Sequence, residues 1–256
     1  MRAEALQTAQ LQALFALIYG GRPEARLRPE EERKSRVLPG VLTEALRLLS
    51  TRGTPVIVDA AAGRAPFSLA LAASCASQGV HIIAIDREAA LGEASLRAFD
   101  RLPAHASSLE TRTGDVGDAA LWPKEPDLVV SIHACGCATD LVLESATRAR
   151  AKHVLVMPCC VSSAVSSAAR ADLAAASLAF EGGLPQKRFR DLYTLNERRL
   201  TLEASGYKTD VVALCPESAT PYNLALRGAR SHEPVRMERA RQSLAALMQS
   251  MPWART

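Results

Sequence analysis

Aromatic residues make up only 4% of the 256-residue chain, so platforms on which exposed bases could stack are scarce. No apolar run approaches the length of a membrane span. The opening MRAEALQTAQ carries Glu4 and lacks an apolar signal core with a small-residue cleavage site. The expectation is an intracellular, cytoplasmic protein that makes no use of a membrane. Six cysteines in a chain of this length do not form a disulfide framework, which points to a reducing compartment. Internal repeats and low-complexity linkers are missing as well. What remains is an ordinary composition, 48% hydrophobic and 23% charged, with a net charge of +4. That mild excess permits a nucleic-acid partner without demanding one.

Glycine is scarce where it would matter most. Residues 55–71, PVIVDAAAGRAPFSLAL, run from β-branched Val56, Ile57 and Val58 through Asp59 to small residues and then a helical pattern from Pro66. This reads as strand, tight turn and helix, the opening unit of a nucleotide-binding α/β sheet. A dinucleotide site needs G-x-G-x-x-G, because backbone must approach a pyrophosphate closely. Here those positions are Ala61, Gly63 and Pro66, so two of the three glycines are absent and a pyrophosphate ligand is disfavoured.

The rest of the chain alternates. Strands are predicted at 55–59, 80–85, 109–113, 127–132, 152–157, 207–214 and 222–228, with helices at 66–77, 87–99, 139–150, 162–180 and 188–205. Strands alternating with helices imply a mostly parallel sheet covered on both faces. The loop from Pro216 to Pro221 is too short for a crossover, so the last two strands should form an antiparallel hairpin. The predicted fold is α/β: a Rossmann-like, seven-stranded, mostly parallel sheet with a C-terminal antiparallel hairpin. Upstream, one helix is expected over 3–19 and a second after Pro39, with the charged stretch 22–36 between them as a solvated connector or helix face. The alternative for that stretch is a basic edge with Lys34 and Arg36 near the ligand. Residues 1–50 are thus expected as a helical extension and 51–230 as the sheet domain. Residues 231–256 are expected as a basic amphipathic helix with Met237, Leu244, Leu247, Met248 and Met251 inward.

Three acids stand at successive strand ends: Asp59, Asp86 in HIIAID and Asp115 in TGDV. That is the edge at which open α/β sheets bind ligands. Asp86 is placed to accept from both hydroxyls of a ribose and Asp115 to take an adenine amino group. Carboxylates repel a phosphate chain but attract a sulfonium and an ammonium. S-adenosylmethionine fits that description. Taken singly, each aspartate could also be a helix cap or a turn residue.

VDAAAGRAPFSLAL, AIDREAAL, TGDV and the strand order resemble class I S-adenosylmethionine-dependent methyltransferases across roughly residues 50 to 230. SIHACGCATD and MPCC look like the methyltransferase-like-25 type of domain, in which His-Ala-Cys-x-x-x-Thr-Asp precedes Pro-Cys-Cys. SGYKTDVV followed by TPYNLALRG is similar to that group's C-terminal hairpin. The resemblance implies that Asp59 and Gly63 hold the methionine end, Asp86 the ribose and Asp115 the adenine. The whole predicted cofactor set is Asp59, Ala61, Gly63, Asp86, Arg87, Asp115, Val116 and His133. The chain departs from the group at Gly63-Arg64-Ala65, where Gly-Lys-Gly is usual. Alanine has fewer backbone options than glycine, which touches cofactor affinity rather than fold.

Methyl transfer is an in-line displacement in which the enzyme aligns donor and nucleophile and excludes water. The acceptor is therefore expected beyond the fourth and fifth strands, where His133, Cys135, Cys159 and Cys160 are the candidate catalytic residues. His133 could orient or deprotonate an acceptor, or hydrogen-bond to backbone and shape its loop. The cysteines, with Cys137, could supply a nucleophile, form a four-thiolate metal site, or be small buried thiols at tight strand ends. The last is favoured and no metal is expected, because C-x-C beside C-C is poor spacing for zinc. Thr139 and Asp140 read as a helix cap and an acid favoured by the helix dipole. Cys75 and Cys215 read as core residues. RNA is the predicted acceptor, gripped by the basic tail, RFRDLYTLNERR and the charged N-terminal stretch. Protein or small-molecule acceptors, and a catalytically inactive partner subunit that binds the cofactor, are the alternatives.

Overall fold

A computed structural model of the chain describes residues 5–49, 53–132, 134, 136–158, 166–178, 182–220 and 222–249. The short β-branched runs form the strands: β1 (Val56–Ala60), β2 (His81–Asp86), β3 (Ser108–Thr113), β4 (Leu128–Ile132) and β5 (His153–Met157). They pair in parallel, with Val58 opposite both Ile83 and Val129, and Ile132 opposite Met157. β6 (Tyr207–Ala213) and β7 (Leu224–Arg230) are antiparallel, and β7 inserts beside β5 with Val156 opposite Leu226. The sheet order among the described residues is β3-β2-β1-β4-β5-β7-β6. The chain therefore reverses direction across the sheet between β1 and β4, opening a crevice at the carboxyl ends of those strands.

Successive side chains along each strand face opposite sides, and they divide into two cores. Ile57, Ile82, Leu128, Val130 and Leu155 join one core, while Val58, Ile83, Val129, Val154 and Leu226 join the other. Truncating any of these Ile or Leu residues to Ala would cost about 2–5 kcal/mol.

The helices between strands are α3 (Pro66–Ser74), α4 (Ala89–Phe99), α5 (Ala138–Arg148), α6 (Ser166–Ser177) and α7 (Gly183–Ala204). α7 begins five residues before the predicted 188, after Gly182 at φ 68°. Its residues Leu195 and Leu202 pack in the second core.

Upstream of the sheet lie α1 (Thr8–Gly20) and α2 (Pro29–Leu48). Of the two forms expected for the charged stretch, connector or helix face, residues 29–36 take the second, as the start of α2. Glu30, Glu31 and Glu32 complement the helix dipole, and Glu30–Lys34 and Glu32–Arg36 are i,i+4 pairs at 2.7 and 2.9 Å. The helix runs through Pro39, which removes one backbone donor. Burial of Val37, Leu38, Val41, Leu42 and Ala45 in the first core offsets that loss. Gly40 allows the helix to press on the C-terminal hairpin, since a Cβ there would lie 1.6 Å from the Leu214 carbonyl oxygen.

α8 (Pro234–Gln249) closes the described chain against α7. Ala240 is its buried residue and Met237, Leu244 and Leu247 are half-buried, but Met248 is 50% exposed and does not point inward. Met251 lies outside the described residues. No helix among the described residues is long and apolar enough to cross a membrane.

Candidate functional site

The turn after β1 keeps the backbone shape that its missing glycines would have given. Ala61, Gly63 and Ala65 sit at φ 57°, 59° and 48°. For each alanine the left-handed region costs about 1 kcal/mol. The hydrogen bonds that hold the turn include Ala62 N–H to the Ile85 carbonyl at 3.1 Å and Ala65 N–H to the Ala62 carbonyl at 2.8 Å. Gly63 donates its N–H to Asp86 Oδ2 at 2.8 Å, so the acid that ends β2 pins the turn that follows β1. A Cβ at Gly63 would meet nothing within 4 Å, because the turn faces open space there.

Beside the turn is a cavity of about 220 Å³ lined by Asp59, Ala61, Gly63, Arg64 and Ile132 from the sheet side. Phe15, Tyr19, Lys34, Val37 and Leu38 of α1 and α2 supply the opposite wall. Asp59 is 3% exposed and accepts from the Ser68 hydroxyl at 2.6 Å. Burial pushes its carboxyl up to about 7, against the pull of the Ser68 hydroxyl and backbone N–H, and the nearby Asp86 raises it further. Among the described residues no cation pairs with it. A buried carboxylate lacking a counter-ion beside a cavity suits a cationic ligand.

The other two acids follow along the same edge. Asp86 Oδ1 also accepts from Glu88 N–H at 3.1 Å, so this residue is a turn acid and a strut together. Asp115 accepts from Gly117 N–H at 2.7 Å and pairs with Arg87, contacts that hold its carboxyl below the usual range. Val116 is different in kind. Its side chain is buried in the second core, and its carbonyl accepts from Trp122 Nε1 at 2.8 Å and from Ser145 Oγ at 2.9 Å. Asp59, Ala61 and Gly63 are thus brought together at one cavity, with Asp86 as its strut, and Asp115 and Arg87 form an exposed pair farther along.

Of the predicted catalytic residues, His133, Cys135, Cys159 and Cys160 lie outside the described residues. Cys137 is exposed rather than buried, and it caps α5 without a side-chain bond. Thr139 is not the cap: it sits inside the first turn and donates to the Ala134 carbonyl at 2.7 Å. Asp140 pairs with Arg198 Nε at 2.7 Å and Nη2 at 3.1 Å. Arg198 is 4% exposed, and its Nη2 also reaches the Gly136 carbonyl at 3.0 Å. Cys75 and Cys215 are buried, and burial pushes the Cys75 thiol up to about 11.

A second cavity, of about 430 Å³, is lined by Pro158, Asp191, Leu195, Arg198, Tyr222 and Asn223 among others. Pro158 directly follows Met157, the register partner of Ile132 in the first cavity. The two cavities therefore touch neighbouring strand ends, roughly 5 Å apart. Lys187 lies over the Tyr222 ring at 5.3 Å from its centroid. Asp191 Oδ2 and Arg198 Nη1 are buried without a hydrogen-bond partner among the described residues. Desolvation holds the Asp191 carboxyl above its ordinary range. No periodicity in the sequence signals this cavity, which is assembled from the end of β5, α7 and the segment between β6 and β7.

A family model described as a methyltransferase domain matches residues 36–166. Trm1 from Pyrococcus horikoshii, solved with S-adenosyl-L-methionine, superposes with a TM-score of 0.55 at 11% identity, covering 84% of this chain and 58% of that one. Magnesium protoporphyrin IX methyltransferase from Synechocystis PCC 6803, solved with bound SAH, gives a TM-score of 0.49 at 14% identity, covering 85% and 93%. A Drosophila melanogaster glutathione S-transferase C-terminal domain-containing protein homolog is 32% identical over 124 residues, covering 38% of this chain. The match takes in only 21% of that relative's length.

Proposed function

Because the chain belongs to the methyltransferase-domain family, we propose that it moves a methyl group from S-adenosylmethionine to RNA, with the donor in the cavity beyond β1 and the acceptor entering the cavity beyond β5. The observation that carries this reading is Asp59: a carboxylate 3% exposed, beside a cavity, with a serine for its partner. The donor's ammonium and sulfonium supply the missing positive charge. When bound, the donor provides a methyl carbon activated by the adjoining sulfonium.

The protein's part is placement. Asp59 balances the cationic end, and Gly63 leaves room for close approach. Asp86 spends one lone pair of each oxygen on backbone N–H groups and keeps others for ribose hydroxyls. Asp115 stands farther along the edge, where trading part of its contact with Arg87 would let it accept from an adenine amino group. The first cavity touches the end of β4 and the second the end of β5, so a donor lying along that edge would meet an acceptor across neighbouring strands with little intervening water. The left-handed φ values at Ala61, Gly63 and Ala65 support a turn that binds the donor, a property shared with a catalytically inactive partner subunit that binds the cofactor, and turnover separates the two.

For RNA, the support comes from α7. Arg188 of that helix and Tyr222 line the second cavity, and Lys187 lies over the Tyr222 ring, so a cation and an aromatic face are in contact at its border. The tail contributes less, since Arg236 and Arg241 are paired with Glu233 and Glu238. The test is transfer of a tritiated methyl group from the donor to separated RNA, protein and small-molecule fractions. Label in RNA supports the reading. Label confined to another fraction replaces the acceptor class, and label nowhere removes catalysis.

A further inference from the structure

The donor cavity has two kinds of wall, and only one belongs to the sheet. The second comes from α1 and α2, where Lys34, Val37 and Leu38 all line the cavity. These are positions i, i+3 and i+4 of one helix, a single face. Neighbouring Arg36 lies off that face, is 51% exposed and pairs with Glu32, so it does not reach the ligand side.

Two cations line the cavity, Lys34 and Arg64. Arg64 is committed: its Nη1 donates to the Ile18 carbonyl at 3.1 Å and its guanidinium lies 5.4 Å from the Tyr19 ring centroid. Among the described residues Lys34 is held by Glu30 alone, at 2.7 Å, across an i,i+4 pair whose acid is 64% exposed. Such a pair contributes a few tenths of a kcal/mol and is readily exchanged. The amino-acid end of the methyl donor carries an ammonium and a carboxylate on one carbon. Asp59 suits the ammonium, and the carboxylate needs a cation on the facing wall.

We propose that Lys34 is that cation: its ammonium turns from Glu30 to the donor's carboxylate, so that α2 completes the site and makes it selective for a donor bearing the whole amino acid. The proposal rests on the donor reading above. It assigns Lys34 a binding and discriminating role, with no part in the transfer itself.

The experiment is calorimetric titration of the wild type, Lys34→Met and Lys34→Arg with two probes. S-adenosylhomocysteine carries the amino-acid end, and 5′-methylthioadenosine keeps the nucleoside and thioether but lacks it. Loss of a charge-assisted contact predicts that Lys34→Met weakens S-adenosylhomocysteine by about tenfold or more. Methylthioadenosine affinity should stay within about twofold, which also shows that the variant is folded, and Lys34→Arg should recover most of the loss. Equal weakening of both probes, or no weakening of S-adenosylhomocysteine, would overturn the role of Lys34 while leaving the donor reading in place. Failure of the wild type to bind either probe would remove the donor reading and the role of Lys34 together.

Discussion

Near the end of β1, Asp59 is 3% exposed and has a serine for a partner; on α7, beside the second cavity, Arg198 is 4% exposed and bonds to Asp140 and the Gly136 carbonyl. Both are charged groups taken out of water, where an unpaired charge is costly. The acceptor side answers most of that cost for Arg198 within the protein, by a two-pronged ion pair and a backbone acceptor, with Nη1 left unpartnered among the described residues. The donor side leaves it unanswered and adds backbone strain at Ala61 and Ala65. Unrelieved burial and strain together mark a place shaped for something that arrives. A paired arginine marks a place that is shaped already.

The comparison breaks first, if it is wrong, at Asp59. Its carboxyl titrates near 7 in the fold against 3.8 for an ordinary aspartate. A raised folded value means that the native state holds its proton more tightly. Stability from this group is therefore full below about pH 4, falls as pH rises through 7, and levels above that. Asp59→Asn keeps an oxygen for Ser68 and removes the charge. It should stabilise the unliganded protein at pH 8 by about 2–4 kcal/mol relative to pH 4 behaviour, read from urea unfolding at both pH values. An equally stable or weaker variant at pH 8 would mean that Asp59 is not the strained group described.

Arg198→Leu should act in the opposite sense, costing roughly 3 kcal/mol in the same assay. That is the low end for a broken buried pair, because Asp140 is 42% exposed and regains water. A loss below about 1 kcal/mol would erase the contrast between the two cavities. Gly63→Ala sharpens it further. The left-handed φ of 59° costs about 1 kcal/mol in stability. Gly63 lines the donor cavity, so S-adenosylhomocysteine affinity should fall as well. The smallest effect belongs to Cys137→Ser. The thiol is exposed and makes no capping bond. The change should move stability by less than about 0.5 kcal/mol and leave methyl transfer unchanged.

Much of this architecture could be read from the residues themselves. Val56–Val58, the HIIAID run and the two strand-end motifs are apolar on both faces because each strand feeds two cores, and that pattern survives without coordinates. The strand ends therefore lay where the acids implied. α2 was misplaced for a specific reason. Pro39 looked like a helix start, although Glu30–Lys34 and Glu32–Arg36 already carried i,i+4 spacing, and packing overrode the missing donor at Pro39. Thr139 looked like a cap because its residue type favours one, but the helix is capped two residues earlier, at Cys137, a residue type with no such preference, and Thr139 instead ties back to Ala134. The exposed pair of Arg87 with Asp115 joins residues 28 apart, and Arg198 reaches Asp140 across 58. Contacts of that span depend on strand order and leave no local pattern. The cavity wall supplied by Lys34, Val37 and Leu38 is intermediate. The helix face is legible from spacing, and what it faces is not.

The most direct measurement is the affinity of the wild type for S-adenosylhomocysteine between pH 6 and pH 8. Asp59 must be ionised to pair with the ligand's ammonium, and its carboxyl titrates near 7. The affinity should rise by about tenfold between pH 6 and pH 8 and flatten above, and Asp59→Asn should be weaker and pH-independent over that range. Absence of binding, or an affinity that does not change with pH while Asp59→Asn binds as well as the wild type, would contradict the account.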